Sequence, residues 1–236
     1  MKQTTVLAAA VALALLLAPA VRPQGRRRRT PQPPPRPAPE FIARSLESPD
    51  AGEVAGRIYT NKFFGLRLSY PEGWFVLSDV GKEAIKERAP EIVKPGQPRR
   101  DIERALERTY NLFSVAQYFT APPGETSASM LCVAEALPVT NLTPLQFARY
   151  ARDYVIPQMN LKIEVLGEPE AERVGGEEFA VLRLRIESPL GPVTQEHHVT
   201  IRRGYAVAFT LTYTTAGQRA KLGEVLDSVS FQGAGK

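Results

Sequence analysis

The side chains able to transfer protons, attack as nucleophiles or ligate metals are few in this chain. Histidine occurs twice, as the adjacent pair His197 and His198, and cysteine once, at Cys132. Metal sites need several ligands converging at defined spacing. The histidines sit in an extended stretch, Val193 to Arg202, and neighbouring strand residues point to opposite faces, so the two rings do not converge on one ion. His197 shares a face with Val193, Val199 and Ile201 and reads as a packed, hydrogen-bonded histidine. His198 shares the other face with Glu196, and the two read as a weak surface pair. Cys132 lies between Met130 and Ala134 in an apolar run, where cysteine behaves as a small hydrophobe. With no second cysteine there is no intrachain disulfide. No Gly-x-Ser-x-Gly elbow marks a nucleophilic serine. Gly175-Gly176 leads into a strand at Phe179, whereas a phosphate loop opens onto a helix N-terminus. Asn141-Leu142-Thr143 has the form of a glycosylation acceptor, but Thr143 serves as a helix cap in this reading. The expected catalytic, cofactor-binding and metal-ligating sets are therefore all empty.

The elements around these residues fall into three segments. Met1 to Ala20 has the form of a secretory signal peptide: Lys2, an unbroken Val/Leu/Ala run from Val6 to Leu17, and the small residues of Ala18-Pro19-Ala20. The run is shorter than the ~20 residues of a spanning helix, so cleavage after Ala20 is expected over retention as an anchor. Residues 21–56 read as a disordered Arg/Pro-rich linker. Arg26 to Arg29 precede Pro31, Pro33, Pro34, Pro35, Pro37 and Pro39, a composition that favours extended polyproline II. The linker is either a solvated spacer or a weak electrostatic contact with an anionic surface. The net charge of +5 is concentrated there. Residues 1–39 hold seven of the 30 basic groups and none of the 25 acidic ones, which leaves 23 against 25 in the remainder. The folded part is thus nearly neutral, and no nucleic-acid partner is expected.

Residues 57–232 read as a single domain. Leu66, Leu68 and Tyr70 alternate with Arg67 and Ser69, the period of a half-buried strand, broken by Pro71 and Gly73 before Trp74. A short strand over 74–77 and helices over 79–89 and 101–110 are expected next. Strands follow over 112–119 and 129–137. Thr143-Pro144-Leu145-Gln146 is a capping box with proline at the first helical position, opening a helix that Pro157 stops. Lys162 to Leu166 is extended, and the charged run from Glu168 to Arg173 leads into the Gly175-Gly176 turn. Strands over 179–187, 193–202 and 205–213 form an antiparallel meander. Thr215 and Gln218 form a second capping box, and the last helix packs through Leu222, Val225, Leu226 and Val229. Both faces of 205–213 are uncharged, so this strand is expected at the centre of a sheet covered on both sides.

The order Tyr-x-Asn at 59–61, Phe-Gly-Leu at 64–66, Tyr-Pro-Glu-Gly-Trp at 70–74, Gly-Gly-Glu-Glu-Phe at 175–179 and Leu-Asp-Ser-Val-Ser-Phe at 226–231 resembles the PsbP-like superfamily over about residues 57–232. The resemblance implies an α+β fold, an α/β/α sandwich around a central antiparallel sheet. It also implies a non-enzymatic role, since members serve as accessory subunits, chaperones or adaptors. No position here matches the metal sites of the photosynthetic members. The expectation is an exported, periplasmic or extracellular, non-catalytic module that binds a protein or peptide. The alternative is an envelope hydrolase whose site the sequence does not reveal.

Overall fold

The computed structural model describes residues 48–77, 108–137, 141–188 and 190–233. The signal-like segment, the linker up to residue 47, the helix expected over 79–89 and residues 101–107 of the next one lie outside them.

The larger sheet has eight strands: β4 (Phe75–Val76), β5 (Thr109–Ala116), β6 (Ser129–Ala136), β7 (Ile163–Val165), β8 (Glu170–Val174), β9 (Glu177–Ile186), β10 (Val193–Arg202) and β11 (Tyr205–Tyr213). Their order is β4-β5-β6-β11-β10-β9-β7, with β8 paired to β9 beside β7, and every pairing is antiparallel. The β9–β10–β11 meander is as the sequence predicts. Its second turn is the two-residue Arg203-Gly204, both at positive φ (53° and 79°), the twist that matches a tight hairpin. β11 lies in mid-sheet and is buried from Tyr205 to Thr212, as its two uncharged faces require.

Two expectations shift. The predicted helix over 101–110 ends inside a strand, because Thr109 and Tyr110 already pair with Glu135 and Ala134 of β6. The strand therefore begins before 112, and a bulge between Asn111 and Phe113 resets its register. β8 occupies the charged run read as a lead-in to a turn. Its glutamates look like loop in sequence but pair in register with β9.

One face of this sheet is covered by helix α1 (Pro144–Tyr150), whose Phe147 and Ala148 pack on Leu131, Val133, Leu182 and Leu184. The capping box is present: Gln146 N donates to Thr143 Oγ1 (3.2 Å) and Thr143 N to Gln146 Oε1 (2.9 Å). The helix widens into a π turn over Ala151–Val155 and ends in a 3-10 turn at Ile156–Gln158, where Pro157 has no N–H to continue the ladder. The opposite face carries helix α2 (Ala216–Asp227), capped by Thr215. The second box is only half formed, because the Gln218 side chain accepts from Thr214 N (2.8 Å) instead of the cap residue.

Beside α2 lies a second sheet of four strands, in the order β1 (Glu53–Ala55), β2 (Ile58–Asn61), β3 (Leu66–Ser69) and β12 (Ser230–Phe231). The core is thus a central antiparallel sheet with a helix on each face, and one of those layers also contains a sheet. Tyr59, Leu66 and Leu68 point inward from it onto Phe113, Phe209 and Leu222. Residues 48–56, assigned to the linker in the sequence reading, pack with this sheet. The Asp50 carboxylate accepts from Gly52 N (2.7 Å) and Phe63 N (2.8 Å), and Asn61 Nδ2 donates to the Asp50 carbonyl (2.7 Å). At Gly65 (φ +63°) a Cβ would come within 2.0 Å of the Gln232 carbonyl, so only glycine admits the last strand. Among the described residues no helix is long and apolar enough to cross a membrane.

Candidate functional site

Strand β10 places Thr194, Glu196, His198, Thr200 and Arg202 on the face toward α2. Their neighbours across β11 are Leu211 beside Glu196, Phe209 beside His198 and Val207 beside Thr200. A polar row therefore runs through an apolar floor, and Glu196, His198, Thr200 and Arg202 are all buried. The expected Glu196–His198 surface pair is corrected accordingly: the two side chains do meet, His198 Nε2 to Glu196 Oε2 at 3.1 Å, but inside the protein. Buried charge persists only where it is paired and hydrogen-bonded, and here distant elements supply the partners.

His198 Nδ1 bonds Glu172 of β8. Glu196 Oε1 accepts from Tyr213 Oη of β11 (2.9 Å) and from Arg219 Nε of α2 (3.0 Å). Arg183 of β9 lies 3.9 Å from the same oxygen and donates to Glu170 at 2.8 Å. Burial pushes the Glu196 carboxyl up, but the hydrogen bonds from His198, Arg219 and Tyr213 outweigh it and hold the group at about 2. Burial pushes His198 down, and the bonds to Glu172 and Glu196 reverse the sign and hold the ring protonated above its usual range. Burial and the hydrogen bond to Glu196 raise the Tyr213 hydroxyl to about 12. Three carboxylates, Glu170, Glu172 and Glu196, are thus matched by Arg183, Arg219 and an imidazolium. With both ring nitrogens donating, His198 has no lone pair with which to act as a base or ligand.

Farther along the row, Arg202 donates from Nε to the Phe64 carbonyl (2.6 Å), from Nη1 to Glu177 (2.8 Å) and from Nη2 to the Gln232 and Gly233 carbonyls. Its guanidinium also lies 5.1 Å from the centre of the Phe231 ring. This one side chain joins the smaller sheet to the larger.

His197 is on the α1 face with Val193 and Val199, as expected, and its Nδ1 meets Thr210 Oγ1 at 3.1 Å. Its Nε2 is buried with no hydrogen-bond partner among the described residues. Burial, with the charge of His198, lowers this ring to about 3 and keeps it neutral. Cys132 is fully buried, which pushes its thiol up and leaves it a packing residue. The structure keeps the two rings on opposite faces, and among the described residues no three His, Cys, Asp or Glu side chains group as a metal site.

The surface offers a different feature. β4 ends the larger sheet opposite β7 and β8, and its Phe75 and Val76 are 46% and 39% exposed. Phe119, 76% exposed, brings its ring centre to 6.4 Å from that of Phe75. Leu77 N donates to Ser114 O at 2.9 Å, so the alternation of the ladder makes Val76–Val115 the non-hydrogen-bonded pair. The Val76 N–H and C=O then point away from β5, on the side where no strand pairs with β4 among the described residues. Sequence reasoning missed this feature. A signal existed in Trp74-Phe75-Val76-Leu77, four consecutive apolar residues where a half-buried strand would alternate.

No family model and no curated protein matches the chain. The solved structures it is similar to include cyanobacterial PsbP (CyanoP) from Synechocystis sp. PCC 6803, at 16% identity and a TM-score of 0.45, covering 76% of this chain and 98% of that one. LpqN of Mycobacterium tuberculosis, a protein involved in cell envelope biogenesis, aligns at 13% identity and a TM-score of 0.41, covering 70% and 82%. A protein from Bacteroides thetaiotaomicron aligns at 10% identity and a TM-score of 0.41, covering 73% of this chain and 47% of its own. A PsbP is thus among the structures matched, and every one of these three likenesses has a TM-score below 0.5.

Proposed function

We propose that this protein is an exported, non-catalytic accessory module of the cell envelope that binds an extended segment of a protein partner along the β4 edge. The observation that carries this reading is the exposed apolar border formed by Phe75, Val76 and Phe119 beside an outward-facing N–H and C=O. A strand laid there gains main-chain hydrogen bonds from Val76 and apolar contact from the side chains, the usual division of labour when a peptide extends a sheet. A binding role over a catalytic one is supported by the state of the likeliest reactive groups: His198 and Glu196 are saturated by their partners, and His197 and Cys132 are sealed in the core. The arginines at 26–29 add a weak electrostatic contact with anionic surface in this reading, which rising salt weakens.

Val76→Pro tests it. The substitution removes an N–H that β5 does not use, so the fold tolerates it while strand addition loses its donor. Extended peptides selected by display on the immobilised wild-type protein are expected to be apolar and to lose binding to Val76→Pro and to the double variant Phe75→Ser/Phe119→Ser. Peptides that bind all three proteins equally would refute the assignment.

A further inference from the structure

We propose that the His198 network is a proton-held latch on strand β8, closed while the ring carries two protons and open once it has lost one. Glu172 of β8 and Glu196 of β10 meet the ring, and the groups linked through them come from the surrounding elements: Tyr213 from β11, Arg219 from α2 and Arg183 from β9, which also holds Glu170 of β8. With an imidazolium, three negative groups meet three positive ones. A neutral ring has one donor and one acceptor nitrogen. One carboxylate would then face a lone pair inside the protein, and the network would carry an excess negative charge.

The two carboxylates are not equally bound. Glu196 keeps Tyr213 and Arg219, and its side chain is 5% exposed. The Glu172 side chain has only His198 as a hydrogen-bond partner among the described residues and is 27% exposed. Glu172 therefore lets go and turns to water. It sits in the middle of a five-residue strand whose only strand partner among the described residues is β9. At the other end of β8 the backbone is fixed, because a Cβ at Gly175 would come within 2.5 Å of the Val229 carbonyl. The strand opens from Glu170 and pivots near Gly175, which frees the outer main-chain edge of β9 from Glu177 to Val181. This device is independent of the binding reading, since β8 and β4 border opposite sides of the sheet.

Amide hydrogen exchange on the full chain tests it, with rates corrected for the intrinsic pH dependence of exchange. Protection over residues 170–174 is expected to fall about tenfold per pH unit above about 6.5, until the pH passes the folded-state value of His198. Protection in β10 and β11 is expected to stay level. In His198→Gln, β8 protection should be low and independent of pH. Should that variant fail to fold, Glu172→Gln, which leaves Glu196 and its partners intact, is expected to show weak β8 protection already at mildly acidic pH. Unchanged protection of 170–174 across the range in the wild type, or a loss shared equally by β10 and β11, overturns the latch.

Discussion

Along the β7 and β8 border of the larger sheet, glutamates meet basic side chains from the neighbouring elements. Glu164 pairs with Arg185 at 3.1 Å, Glu170 with Arg183 at 2.8 Å, and Glu168 with Arg152. Among the described residues the β4 border shows no such ladder: Phe75 and Val76 stand exposed, and the Phe119 ring lies 6.4 Å from that of Phe75. Unpaired strand edges invite association, and charge is a common means of discouraging it. Among the described residues that protection stands at one border and not at the other. Sheet architecture alone does not require the difference, because both borders are short strands on the same sheet. The proposed strand addition at the β4 border rests on this asymmetry.

The largest effect is expected behind the guarded border. Glu196→Ala leaves His198, Arg219 and Tyr213 facing a gap inside the protein, and breaking a buried pair in this way costs roughly 3–5 kcal/mol. Urea unfolding measures it. A loss below about 1 kcal/mol would show that the network is a surface feature and the comparison false. Next comes the open border. Phe75→Ser/Phe119→Ser should leave unfolding stability within about 0.5 kcal/mol. The same change should weaken peptide binding by about 2 kcal/mol or more, some 30-fold. Calorimetric titration with a display-selected peptide decides this.

The third effect is a pH profile. His198 is raised in the folded state, so its contribution is complete below about 6.5, the unfolded value, and is lost as pH rises through the folded one, at about 1.4 kcal/mol per unit. Glu196 is lowered, so its contribution holds above its unfolded value and fades as pH falls toward about 2. Urea midpoints across pH should decline on the alkaline side, and His198→Gln should flatten that decline. The smallest effect sharpens the comparison most. Glu164→Val removes an exposed pair worth under about 1 kcal/mol, yet it should make the β7 border apolar and raise self-association in light scattering.

The meander was legible because three long strand-like stretches follow one another and their turns carry Gly-Pro or Arg-Gly. Helix α1 was legible because Thr143, Pro144 and Gln146 state its first turn outright. β8 was not, since Glu170, Glu172 and Arg173 have the composition of a loop and become a strand only through pairing with β9. The polar row of β10 escaped for a related reason. Glu196 and His198 on a half-polar strand default to the surface, and the partners that bury them lie 26 residues before His198, at Glu172, and 23 after Glu196, at Arg219. β1 was hidden in the tail of the linker because its three residues are all exposed, and Asp50 and Asn61 hold the segment through side-chain bonds that no periodicity announces.

The join made by Arg202 bears on time as well as shape. Its guanidinium reaches back 138 residues to the Phe64 carbonyl, and Ser228 closes onto Ser69 across 159. β3 therefore has no neighbour on one side until the ribosome has made residues near 230. A chain delivered from its N-terminus emerges with β1, β2 and β3 waiting, while the meander can assemble from contacts near in sequence. Contacts this distant slow the final step. During synthesis, the smaller sheet is the part that remains unfinished longest.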